Sequence, residues 1–260
     1  MCTMTTIRTE IAEDEPYATV VISNPDRKNA VSEADTEELA AAFRELDAND
    51  EVRCIVLTGA GEAFCAGADL SSVGSTPTAE SIDRGFHAAV GAIMTCSKPV
   101  IAKVDGPAIG AGASLATACD FVYAAESARI GFSFSSIGLT ADTGATFILP
   151  RLVGVRTATE LLMSGDILAA GEAADIGLLT EVVSDADIDE RVRERATDLA
   201  NGPTRVHASI RRLLLRSNAN TLEEQLELEA REQERMFHTQ DMMEGVAAFT
   251  EDREPEFSGQ

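Results

Sequence analysis

The sequence predicts an α/β fold on three observations. Short β-branched runs alternate with helix-forming stretches over the first 155 residues, glycine and alanine crowd several of the turns between them, and helical composition takes over beyond. Repeated strand-then-helix order is the pattern of α/β packing. Residues 17–23 (YATVVIS) and 52–58 (VRCIVLT) read as buried strands, closed by Asn-Pro and by Thr-Gly-Ala-Gly. Between them a helix is expected, with Ser32 as its cap and Leu39, Phe43 and Leu46 at i, i+4 and i+7 on an otherwise acidic surface. A helix over about 79–96, a strand at 99–104 (PVIAKV), a helix from about 111 to 118 and a strand at 120–124 (DFVYA) continue the alternation. After residue 155 come RTATELLMSG, AAGEAADIGL and charged helical stretches at 185–200 and 221–249. Pro203 after Asn201-Gly202 is a helix stop, dividing an α/β core (1–202) from a helical C-terminal region (203–260). Leu222, Leu226, Met236 and Phe237 give that region an apolar face, to be buried within the subunit or on a neighbouring one.

The charge balance excludes some partners. With 44 Asp and Glu against 21 Lys and Arg in 260 residues, the net charge of -23 argues against any general grip on nucleic acid. Lysine is scarce, at positions 28, 98 and 103 alone, and an acidic, lysine-poor surface suggests a salt-rich cytoplasm, where a Debye length of about 3 Å at molar salt screens self-repulsion. No apolar run approaches the roughly 18 residues of a membrane span, and no basic-then-apolar leader opens the chain, so a cytoplasmic location away from the membrane is expected. Five cysteines (Cys2, Cys54, Cys65, Cys96, Cys119) at wide spacing fit neither a disulfide framework nor a zinc knuckle. His87, His207 and His238 match no metal motif and are expected as solvated helix-surface residues, so no metal is expected.

Two segments combine an apolar strand, a small-residue turn and a following helix: Phe64 to Leu70 (FCAGADL) and Val104 to Asp120 (VDGPAIGAGASLATACD). Small residues at a helix entrance leave backbone N–H groups open to a ligand oxygen, and two such turns could form an oxyanion hole; tight strand-to-helix packing would demand the same residues. Competing motifs fail on spacing. Leu115 stands where a dinucleotide fingerprint beginning at Gly110 needs glycine, no P-loop is present, and Ser114 follows the glycines of GAGAS instead of sitting between them.

In order along nearly the whole chain, NPDRKNAVS, AFCAGADL, KPVIAKVDGPAIGAGASLATACDFVYAAESARIGF, IGLTADTGATFILPRLVG and MEGVAAFTEDREPEF resemble the enoyl-CoA hydratase/isomerase (crotonase) superfamily. The resemblance implies a crotonase-like spiral of ββα repeats with a helical C-terminal trimerisation region, assembled as a homotrimer or a dimer of trimers. It implies an acyl-CoA thioester substrate, with coenzyme A brought by the substrate and no permanently bound cofactor. The thioester carbonyl would lie between two backbone N–H groups, here those of Ala66 and Ala111. Gly67, Ala68, Asp69 and Gly110 would line the substrate, and Lys28 and Ala30 would meet the adenine end of CoA.

The departures from the family pattern bear on the reaction. Family hydratases hold water between two glutamates, which would align with Ser114 and Phe134; neither side chain is a competent base. Asp142, in IGLTADTGATFILPRLVG, aligns instead with the loop acid of family members that isomerise enoyl-CoAs, including the ring-opening isomerase of phenylacetate degradation. Phe132, Phe134, Ile137 and Leu139 are expected to enclose it. Asp69 is expected to support its turn or to cap the helix after Gly67, and Cys65 to be a small buried residue. The favoured activity is one-base isomerisation; the alternatives are a hydratase, an aspartyl-nucleophile dehalogenase or hydrolase, and a non-catalytic acyl-CoA-binding subunit.

Overall fold

The computed structural model describes residues 6–70 and 78–260. The strands are β1 (Ile7–Ile11), β2 (Tyr17–Ile22), β3 (Cys54–Gly59), β4 (Val100–Val104), β5 (Pro107–Ile109), β6 (Phe121–Ala125), β7 (Arg129–Gly131), β8 (Ile167–Ala169) and β9 (Glu181–Val183). The helices are α1 (Glu33–Ala48), α2 (Ala79–Ile82), α3 (Ala88–Thr95), α4 (Ala111–Thr117), α5 (Ala145–Ser164), α6 (Ala170–Asp175), α7 (Ile188–Ala200), α8 (Thr204–Ser217), α9 (Leu222–Met236) and α10 (Gln240–Glu251).

A six-stranded sheet runs β1-β2-β3-β4-β6-β9, parallel except for the antiparallel β1–β2 pair, and a small sheet runs β5-β7-β8. Side chains alternate across the large sheet. Ile55 and Leu57 of β3 join the main core with Leu39, Phe43, Ile93 and Leu115, while Cys54 and Val56 face a second cluster with Val192 and Ala196 of α7.

The expected Ser32 cap is present, as a capping box in which Ser32 and Asp35 satisfy each other's backbone N–H. The helix expected over 79–96 is α2 and α3 joined through a π turn at Asp83–His87. Three differences have local causes. β1 shows no apolar alternation because it is an edge strand with one buried residue. The small sheet and β9 consist of three-residue strands, too short for a period to show. α5 begins ten residues before the expected helical region, because Pro150 lies inside it and Gly154, at φ 76 and ψ 160, breaks it into two pieces.

Pro203 does precede α8, and α8–α10 follow as a helical unit. Arg211 of α8 donates to the carbonyls of Cys96 at 2.9 Å and Ile93 at 2.7 Å, tying that unit to the end of α3, where a cation also complements the helix dipole. His207 departs from expectation: it is half-buried in α8, with Nδ1 enclosed and lacking a partner among the described residues. No helix among the described residues is long and apolar enough to cross a membrane.

Candidate active site

The first small-residue turn is built from two bridges. Cys65 pairs with Ala108, its N–H donating to Pro107 O at 3.1 Å and its carbonyl accepting from Ile109 N at 2.9 Å. Ala68 pairs with Val31, through Val31 N to Gly67 O at 2.9 Å and Asp69 N to Val31 O at 2.8 Å. Between them the chain turns at Gly67, whose φ of 96 is foreign to other residues. A Cβ there would lie 2.8 Å from Ile109 O and 3.5 Å from Ala111 N, so the turn is pressed directly onto the entrance of α4. The helix expected to follow Leu70 falls on residues 71–77, outside the described residues.

This geometry corrects one expectation. The Ala66 N–H donates to the carbonyl of Lys28 at 2.9 Å and is therefore occupied. Parallel bridging uses Gly67 O and Asp69 N and turns the amide of Ala68 away from Val31. Among the described residues the Ala68 N–H has no acceptor. The Ala111 N–H, in the first turn of α4 after Gly110 at φ 56, likewise has none. The signal for Ala68 was present in the motif, two residues beyond Ala66, but the acceptor that disqualifies Ala66 comes from a loop 38 positions away in the chain.

The remaining residues expected around the substrate are gathered here. Lys28 is exposed beside Ala66, Ala30 precedes the bridge residue Val31, and Gly110 donates to Gly131 O at 2.7 Å, fixing the other side. Asp69 forms an ion pair with Arg27, which supports the turn as expected. Cys65 is fully buried and burial pushes its thiol up to about 12, so it is chemically quiet.

At the two positions aligned with hydratase glutamates, Ser114 is buried with its hydroxyl donating to Gly110 O at 3.2 Å, and Phe134 is buried in the core. Asp142 lies in the loop before α5, which packs against α4. Its surroundings differ from expectation. Phe132 and Phe134 are buried, but Ile137 and Leu139 are 56% and 53% exposed, and Asp142 itself is half-buried. The 3-10 turn at Ser135–Ile137 carries these side chains outward. Thr143 Oγ1 donates to Asp142 Oδ1 at 2.6 Å.

A cavity of about 610 Å³ lies elsewhere, between α8 and the C-terminal end of α4, and none of Ala68, Ala111 or Asp142 lines it. Cavity size therefore does not mark the amides of Ala68 and Ala111, which the Gly67 turn brings together at the entrance of α4. No three His, Cys, Asp or Glu side chains among the described residues are placed to hold a metal ion.

The family model for enoyl-CoA hydratase/isomerase matches residues 13–260. The chain belongs to the enoyl-CoA hydratase/isomerase family. As a member it is an acyl-CoA-processing enzyme, and its crotonase fold is the one the sequence motifs implied. It is 41% identical over 256 residues, 98% of each chain, to a Rhodobacter capsulatus protein described as a probable enoyl-CoA hydratase. It is 36% identical to the 1,2-epoxyphenylacetyl-CoA isomerase of Escherichia coli, over 93% of this chain and 94% of that one. The crystal structure of enoyl-CoA hydratase from Bacillus anthracis matches with a TM-score of 0.91 at 30% identity, covering 98% of this chain and all of that one.

Proposed function

We propose that this family member is an enoyl-CoA isomerase that shifts a double bond through a thioester dienolate with one carboxylate base, Asp142. The observation that carries the reading is the pair Ser114 and Phe134, which leaves Asp142 as the acid among the three positions aligned with the family's bases. The N–H groups of Ala68 and Ala111 receive the thioester oxygen, Gly67, Asp69 and Gly110 line the substrate, and Lys28 and Ala30 meet the adenine end of CoA. Asp142 removes a proton alpha to the carbonyl, the electron pair spreads into the dienolate, and the two amides bear the charge that develops on oxygen. The same carboxyl group then returns the proton two carbons away, so the substrate keeps its mass. Donors aimed at a developing oxyanion are each worth about 2.7 to 4 kcal/mol of barrier.

The test is a paired assay at high salt with a 3-enoyl-CoA and a 2-enoyl-CoA, read by mass spectrometry. Conversion of the 3-enoyl substrate without mass change, abolished by Asp142→Asn, is expected. Water addition that dominates and survives that substitution overturns the reading.

We infer further that the helices after Pro203 mediate assembly into a homotrimer or a dimer of trimers in a salt-rich cytoplasm. Support comes from the exposed apolar residues Leu222, Leu226, Phe237 and Val246, and from Phe249, which is 88% exposed. Sedimentation equilibrium giving a single-chain mass would end this reading.

A further inference from the structure

We propose that Thr143 is a positioning residue that holds the Asp142 carboxylate in the orientation from which it exchanges a proton with substrate. The inference rests on the reading of Asp142 as the base. Its own support is the backbone and hydrogen bonding of the loop before α5.

Thr143 is fully buried, 0% exposed, and adopts φ 51. Among the described residues the other non-glycine positions with positive φ are Lys28, Asn29 and Asp252. Among these four only Thr143 is β-branched, and a branched Cβ in the left-handed region is a true outlier, kept where surrounding structure enforces it. The enforcement is visible on both sides. Gly144, at φ 76, faces Val90 of α3 so closely that a Cβ would lie 2.9 Å from Val90 Cγ1. Ala145 N donates to the carbonyl of Asp142 at 3.1 Å, closing the loop onto α5. In this conformation the Thr143 hydroxyl reaches Asp142 Oδ1 at 2.6 Å. Among the described residues it is the one donor to that carboxylate, and no cation pairs with it.

A donor fixed on Oδ1 leaves Oδ2 as the free acceptor and opposes rotation of the carboxyl group. That matters for a base that must take a proton at one carbon and return it at another, since a displacement of about 1 Å costs on the order of 10²-fold in rate. Held at one oxygen, Asp142 presents the other to both carbons without turning over.

The experiment compares kcat and KM of the full-length enzyme carrying Thr143→Val, Thr143→Ser, Thr143→Gly or Asp142→Asn, with folding followed by circular dichroism. Thr143→Val, which keeps the shape and removes the donor, is expected to lower kcat by roughly 10²-fold with KM little changed. Thr143→Ser, which keeps the donor, is expected to recover most of that loss. Thr143→Gly suits the left-handed backbone and lacks the hydroxyl, so it should stay folded and be as slow as the valine variant; it decides the matter if valine does not fold. Wild-type kcat in Thr143→Gly, or equal losses in the serine and glycine variants, overturns the proposal while an inactive Asp142→Asn keeps the base reading. A fully active Asp142→Asn overturns both.

Discussion

The side-chain amide of Asn29 donates to the backbone carbonyl of Ala63 at 2.6 Å and to that of Ala60 at 2.9 Å, while its Oδ1 accepts from Asn24 N at 2.9 Å. Asn29 is fully buried at φ 58. One side chain therefore locks the segment bearing Lys28 to the segment that leads into Phe64. Asn29→Ala would strip donors from two carbonyls, at about 1 to 3 kcal/mol for a buried unsatisfied group, and would leave alanine at a positive φ costing roughly 1 kcal/mol more. The expected loss is roughly 2 to 4 kcal/mol, to be read from urea unfolding with an unchanged m-value.

Gly67→Ala should cost both folding stability and turnover. The new methyl would stand 2.8 Å from Ile109 O in a backbone of φ 96, pushing the Ala68 turn away from the entrance of α4. Spoiling one amide of the pair is expected to lower kcat/KM by about 10²-fold, measured with the 3-enoyl-CoA assay on protein whose circular dichroism matches the wild type.

Stability should carry a pH signature from His207. Burial first, and then Arg53 and Arg195, hold its imidazole below the ordinary value of 6.5. Below about pH 6.5 the unfolded chain thus binds a proton that the native state resists. This stability is complete above that pH and is lost as pH falls through the folded-state value. In His207→Gln the unfolding free energy should fall less between about pH 7 and pH 5.5; an identical slope in both proteins contradicts the assignment.

Salt should help substrate capture. CoA phosphates approach a chain of net charge -23 whose three lysines include the exposed Lys28 and the buried Lys98. Screening shortens from about 10 Å at 0.1 M to about 3 Å at 1 M, which weakens long-range repulsion. The KM for acyl-CoA is expected to fall over that range of KCl, and a KM that rises with the fold intact would refute the expectation.

What could be read in advance was whatever local chemistry decides. The Ser32 cap, the Leu39–Phe43–Leu46 stripe and the stop at Pro203 depend on near neighbours and were legible. The choice between Ala66 and Ala68 was not, because it turns on Lys28 and Val31, which reach the turn only in the folded chain. Ile137 and Leu139 look like core in one dimension and point outward in three. Asp-Thr-Gly at 142–144 reads as an ordinary turn until the left-handed threonine is seen.

Every residue of α4 is buried, and a Cβ on Gly112 would meet the carbonyl of Cys65 at 2.1 Å. That side of the site is a rigid wall with no slack in volume. Ile137 and Leu139, in the segment that leads to Asp142, are exposed and have solvent to move into. A search for altered chain-length preference belongs at 137 and 139, since enlarging α4 would displace the wall before it reshaped the pocket.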